Sequence, residues 1–163
     1  MSIFRLLCAI MMAASVTAAQ TKVSGTAQCP GKPGESHTIE VGDHPGHAYT
    51  IVRGACTWTK PFEIAGLKST GDSAAEFSES DGSGASDQTS RVGTMDNGDR
   101  FYLQTHGTHT MRDQKYEGGE GTWTFAGGTG QLKGIKGKGT YKCRPEGDNV
   151  SCDIEGEHTL PGK

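Results

Sequence analysis

The sequence predicts an all-β fold: a single small antiparallel β-barrel of about eight to ten strands, stabilised by disulfides and preceded by an N-terminal signal peptide. Three observations lead there. After residue 19 no long window repeats its apolar residues every 3.6 positions, whereas alternation of period two, punctuated by Gly, Asp and Asn, recurs to the C-terminus. All 25 glycines lie in that part and large apolar residues are sparse, so the core is thin for the chain length and benefits from covalent help. Beyond Cys8, four cysteines remain, Cys29, Cys56, Cys143 and Cys152, and in an oxidising compartment an even number reads as two disulfides.

The elements follow in order. Residues 1–19, MSIFRLLCAIMMAASVTAA, combine one basic residue, Arg5, with an apolar run from Leu6 to Ala14 and small residues at Val16, Ala18 and Ala19. That is the pattern of a signal peptide cleaved after Ala18 or Ala19, too short to span a bilayer. Cys8 sits inside the apolar run rather than at a cleavage point, which argues against a lipoprotein. The domain expected is therefore 20–163, exported to the periplasm or beyond the cell, with no membrane span.

Strands are expected near 21–28, 36–41, 47–58, 61–67, 73–79 and 119–126. Between them, SESDGSGASD at 78–87 has almost no large side chain and reads as a mobile polar loop. Two hairpins can be put in register. VGTMDNGDRFYL, 92–103, holds Asn97-Gly98, and a two-residue turn centred there pairs Thr94 with Phe101 and Val92 with Leu103. In GTYKCRPEGDNVSCDIEGE, 139–157, a turn centred between Gly147 and Asp148 sets Cys143 opposite Cys152 and Tyr141 opposite Ile154. A cross-strand Cys143–Cys152 disulfide follows, and by elimination Cys29 pairs with Cys56. No two of these cysteines have the short spacing of a zinc centre.

The segment WTFAGGTGQLKGIKGKGTYKC, 123–143, invites a nucleotide-binding reading that its details exclude. No G-x-x-x-x-G-K-[ST] occurs, Lys133 stands where a G-x-G-x-x-G motif needs its third glycine, and a strand rather than a helix follows. Gly127, Gly128, Thr129, Gly130, Leu132, Gly134 and Gly137 instead resemble the glycine-rich segment of the allene oxide cyclase and dirigent-like β-barrel superfamily, as found in its exported bacterial members. The resemblance implies a barrel in which Trp123 and Phe125 point inward and Leu132 and Ile135 fold under to plug one end. Members that act as cyclases or stereochemical guides use carboxylates and polar groups in the cavity. None of those positions matches this chain residue by residue, so the resemblance transfers no catalytic role.

Charge excludes one class of partner. Sixteen basic residues, Arg5 among them, oppose 19 acidic ones, and only Lys133, Lys136, Lys138 and Lys142 are loosely grouped, so a nucleic-acid partner is not expected. The aromatics Tyr49, Trp58, Phe77, Phe101, Trp123, Phe125 and Tyr141 either fill the core or line a pocket; Tyr49, Trp58, Phe101, Trp123, Phe125 and Tyr141 are the candidate ligand contacts. No G-x-S-x-G supports acyl transfer, and Glu76 and Glu79 fall on opposite faces of a strand and read as solvated charge. His106 and His109 also face opposite sides. Asp43, His44 and His47 share one Pro-Gly turn and form a weak alternative site for zinc or copper.

The function expected is an exported barrel that binds a small lipophilic molecule or serves as an envelope accessory protein, with no cofactor. The alternatives are a cyclase or isomerase acting on an apolar substrate through a buried carboxylate, Arg53 or a tyrosine, and a metal-binding envelope protein using His44 and His47. Nothing in the sequence selects an oligomeric state.

Overall fold

The computed structural model describes residues 20–112 and 115–161; the expected signal peptide, 1–19, lies outside them. Ten strands follow one another: β1 (Thr21–Pro30), β2 (Glu35–Glu40), β3 (His47–Lys60), β4 (Glu63–Ile64), β5 (Leu67–Asp81), β6 (Gly84–Met95), β7 (Arg100–Arg112), β8 (Lys115–Gly128), β9 (Lys136–Glu146) and β10 (Asn149–Thr159). Among the described residues the only helical segment is a 3-10 turn at Gly130–Leu132, and no helix is long and apolar enough to cross a membrane.

All pairings are antiparallel. The order β1-β10-β9-β8-β7-β6-β5-β3 returns to β1 and closes an eight-stranded barrel, leaving β2 on the outer edge of β3 and β4 on β5. Strand β3 makes this closure possible because it is long. Its first part, His47–Cys56, pairs with β5 on one side and β2 on the other, while Thr57, Trp58 and Lys60 pair with β1. Pro30 and Pro33 separate β1 from β2, since a proline lacks the N–H that would continue the ladder.

One half of the interior is a solid core. Val23, Phe62, Ile64, Met95, Phe101, Leu103, Trp123, Leu132 and Ile135 are all nearly inaccessible. The 3-10 turn tucks Leu132 and Ile135 under the barrel, held by Thr129 N–H donating to Arg100 O (2.8 Å), Gln131 N–H to Asp99 Oδ2 (2.9 Å) and Arg100 N–H to Thr129 Oγ1 (2.8 Å). The glycines admit the large rings. A Cβ on Gly139 or Gly156 would enter the Trp123 indole, and one on Gly93 would enter the Phe101 ring. Glycine in these strands therefore marks close approach rather than weak structure.

Both disulfides form, Cys29–Cys56 and Cys143–Cys152, and the β9–β10 hairpin has the register expected of it, with Cys143 opposite Cys152 and Tyr141 opposite Ile154. Two expectations need correction. In the β6–β7 hairpin Thr94 faces Arg100, Val92 faces Tyr102 and Phe101 faces Gly93. Gly98 N–H donates to Met95 O (3.0 Å), and Met95 N–H donates to Asp99 O (2.8 Å), so three residues rather than two form the loop. Gly98, at φ 85°, supplies the left-handed residue that such a loop needs, and the register slips by one.

The supposed polar loop 78–87 is instead almost wholly strand. Strands β5 and β6 run on to Asp81 and from Gly84, joined by a tight turn in which Asp81 Oδ1 accepts from Ser83 N–H, Ser83 Oγ and Gly84 N–H (2.9, 2.8 and 3.0 Å). Its small polar residues are compatible with strand because only one of its faces meets the interior, and that interior is not apolar there.

Candidate functional site

Above the core the barrel is hollow. A cavity of about 300 Å³ lies between Trp58, Leu103 and Trp123 on the floor side and the strand ends near Pro30, Pro33 and Val150. Both disulfides form part of its wall. Alternation along each strand decides what enters: Asp72, Ala74 and Glu76 from β5, Asp87, Thr89 and Arg91 from β6, Leu103, Thr105 and His109 from β7, with Tyr116 from β8 and Tyr141 from β9.

The charged residues divide into a satisfied pair and an unsatisfied group. Asp72 is fully engaged: Cys56 N–H donates to its Oδ1 (3.2 Å) and Arg91 Nη1 to its Oδ2 (3.0 Å). Arg91 Nη1 also lies 3.5 Å from Cys56 Sγ, so the guanidinium ties β6 to the disulfide across β5. Asp87 is equally buried and far less well served. Its Oδ1 is 3.3 Å from Thr89 Oγ1, its Oδ2 has no hydrogen-bond partner, and the nearest cationic candidate, His109 Nδ1, stands 3.7 Å away.

Thr89 links Asp87 to Glu76, whose Oε2 is 3.4 Å from the same hydroxyl. One hydroxyl carries one proton, so it cannot donate to both carboxylates at once. Burial, and next the charge of Asp87, hold the Glu76 carboxyl above the ordinary range of a glutamic acid. A protonated Glu76 resolves the conflict: its O–H donates to Thr89 Oγ1 while the Thr89 hydroxyl donates to Asp87. The two tyrosines are kept neutral in the same way. Burial first, then the charges of Asp87 and Glu76, push the Tyr116 phenol up to about 12, and burial and Asp87 push Tyr141 up as well. Gly107 and Gly121 create the space for Tyr141, since a Cβ on either would meet its hydroxyl.

Of the aromatic residues proposed from sequence, Trp58, Trp123 and Tyr141 line this cavity. Phe101 is completely buried in the core beneath it, with Phe125 packed edge-on against both Phe101 and Trp123 (ring centroids 6.0 and 5.1 Å). Tyr49 is a correction. It points outward from β3, stacks on Phe77 at 5.5 Å and donates its hydroxyl to Glu79 Oε1 (3.0 Å), because its neighbours Ala48 and Val52 take the inner positions of the alternation at that height. Arg53 is likewise outside, its side chain 78% exposed and 3.8 Å from Glu35; the interior arginine is Arg91.

Glu76 and Glu79 do fall on opposite faces, but Glu76 is an interior acid rather than solvated charge. His109 lines the cavity, while His106, three residues earlier, does not. Sequence reasoning passed over Asp72, Asp87, Thr89 and Arg91. The signal was present in the step of two: Phe101 and Leu103 continue to Thr105, Gly107 and His109, and Arg91 continues back to Thr89 and Asp87.

The pterocarpan synthase dirigent protein GePTS1 superimposes on this chain with a TM-score of 0.51 at 10% identity, covering 91% of this chain and 90% of its own. A second pterocarpan synthase dirigent protein, PsPTS1, matches at 0.49 and 9% identity over 89% of this chain and 97% of its own. The barrel is thus dirigent-like in fold. No protein-family model and no curated protein matches the chain.

Proposed function

We propose that the barrel binds a small molecule in this cavity, apolar over most of its body and carrying a hydroxyl or comparable hydrogen-bond donor. The observation that carries the proposal is Asp87 Oδ2, a buried carboxylate oxygen with no partner, beside a hollow lined on its other sides by Trp58, Leu103, Trp123 and Ile154. An unpaired buried oxygen costs on the order of 1–3 kcal/mol, and a ligand donor would recover it. The volume is at the small end of the range for ligand cavities.

A second reading, proton-transfer catalysis of the cyclase or isomerase type, is favoured by Glu76. An acid held protonated beside one that accepts a proton is the division of labour of a general acid and a general base. Glu76 would donate to one atom of the substrate while Asp87 takes the proton of its hydroxyl, and Thr89 would return the proton between them. The use of the fold in the pterocarpan synthase dirigent protein GePTS1 is compatible with this reading.

Export is part of the proposal. Two disulfides accord with an oxidising compartment, and N-terminal sequencing of the secreted protein is expected to begin at Ala19 or Gln20. Binding is tested by native mass spectrometry of exported protein purified without detergent, followed by organic extraction. A stoichiometric small molecule that is lost in Asp87→Asn is expected. Retention of the same molecule by that variant, or a cavity that takes up no hydroxyl-bearing compound from a panel, would overturn the assignment.

A further inference from the structure

We propose that the turn between β2 and β3 is a binding site for a zinc or copper(II) ion, with Asp43, His44 and His47 as ligands and Glu79 as the carboxylate that orients His47. None of these residues lines the cavity, and the inference is independent of what the cavity binds.

The local sequence builds the convergence. Val41 N–H donates to His47 O (2.9 Å) and His47 N–H to His44 O (3.3 Å), so the chain reverses within six residues and brings both imidazoles to one side. The rings stack with centroids 4.7 Å apart and planes 26° from parallel. One donor atom from each of Asp43, His44 and His47 falls within 4.8 Å of the others. Around a tetrahedral ion with bonds of about 2.0–2.1 Å, donors stand roughly 3.3 Å apart. The Asp43 Oδ2 to His44 Nδ1 separation is 3.2 Å and the Asp43 Oδ1 to His47 Nδ1 separation is 2.6 Å, so each ring already meets an oxygen of the same carboxylate, and side-chain rotation would bring the two ring nitrogens onto one ion.

Glu79 distinguishes this cluster from histidines that merely lie in a loop. It reaches across from β5, its Oε1 lying 3.2 Å from His47 Nε2 and accepting the Tyr49 hydroxyl at 3.0 Å. A carboxylate on Nε2 fixes the ring from behind, so an ion taking the place of the Nδ1 proton beside Asp43 would meet an imidazole already held in orientation, as outer carboxylates do for metal-binding histidines. Two nitrogen donors and one oxygen suit zinc or copper(II) rather than calcium or magnesium, and the exposure of His44 leaves water free to complete the coordination.

The test titrates zinc and copper(II) ions into the untagged exported protein by calorimetry, in competition with a chromogenic chelator. One ion per chain is expected, with saturable binding abolished in His44→Ala and in His47→Ala. Glu79→Gln, which keeps every direct ligand, is expected to weaken binding by about 10- to 100-fold. Circular dichroism and thermal melting of the ion-free variants should match wild type. Unchanged affinity in His44→Ala, binding that survives in the double histidine variant, or the absence of a stoichiometric site would overturn the proposal. Wild-type affinity in Glu79→Gln would overturn the orienting role.

Discussion

Thr89 faces two carboxylates with one proton, and most of the site's chemistry follows from how that shortage is met. Glu76 is held in its protonated form above the ordinary value of 4.5. An acid raised in the folded state contributes stability that is fully present below its unfolded value and lost as pH rises through the folded one. Wild type is therefore expected to lose stability relative to Glu76→Gln as the pH rises above 4.5, followed by urea denaturation at a series of pH values; a constant difference would contradict the protonated assignment. Asp87→Asn removes an underserved buried charge, so this variant should be as stable as wild type or more stable by about 1 kcal/mol, a gain obtained at a functional position. Gly107→Ala would drive a Cβ into the Tyr141 hydroxyl and the Glu120 carbonyl oxygen, and its expected cost is about 1–3 kcal/mol in the same assay. Asp87 was not legible from sequence because Ser, Glu, Asp and Gly surround it, a composition that signals solvent. The signal misleads where the side chain behind a strand meets a cavity instead of a core. Trp58, Trp123 and Tyr141 were legible because large aromatics in alternating strands have few other places to go.

At the level of elements, legibility depended on turn chemistry. The β9–β10 register could be read because Cys143 and Cys152 mark the same rung independently of the turn. In the β6–β7 hairpin the only marker was Asn97-Gly98, which serves a two-residue loop and a three-residue loop with a bulge equally well. The structure uses the latter, with Gly98 in the left-handed region. Gly98→Ala is accordingly expected to cost about 1 kcal/mol, read from the denaturation midpoint, with no change in ligand uptake. The β5–β6 hairpin carries its own turn signal, Asp81-Gly82-Ser83 with Gly82 at φ 88°, but the polar residues around it read as an open loop. Asp81 closes it by accepting three hydrogen bonds from Ser83 and Gly84, and no hydrophobic pattern announces the strands that flank it.

Across the whole molecule the barrel is divided into a sealed half and a hollow half, and the two are stabilised differently. Aromatic and aliphatic packing secures the first. The second, with its polar wall, depends on the Arg91–Asp72 pair and on two disulfides, the longer of which joins β1 to β3 where the barrel closes through only a short ladder. Replacing Cys29 and Cys56 together by serine should cost about 3.5 kcal/mol, and replacing Cys143 and Cys152 about 2.5 kcal/mol, because their sequence separations of 27 and 9 residues restrict the unfolded chain unequally. Equal losses would argue against that account. The barrel class was readable from alternation and glycine punctuation, but the hollow was not, since sequence shows which residues point inward and not whether they meet.

The central claim is that the barrel keeps a proton between Glu76 and Asp87 inside a ligand-sized cavity. The most direct test is a pH titration of side-chain carboxyl ¹³C resonances in the ligand-free protein, assigned with Glu76→Gln and Asp87→Asn. Glu76 is predicted to titrate above 4.5, apart from the exposed acids, and to move downward when Asp87 is neutralised. A Glu76 that titrates among the surface carboxylates and ignores the Asp87 substitution would contradict the claim.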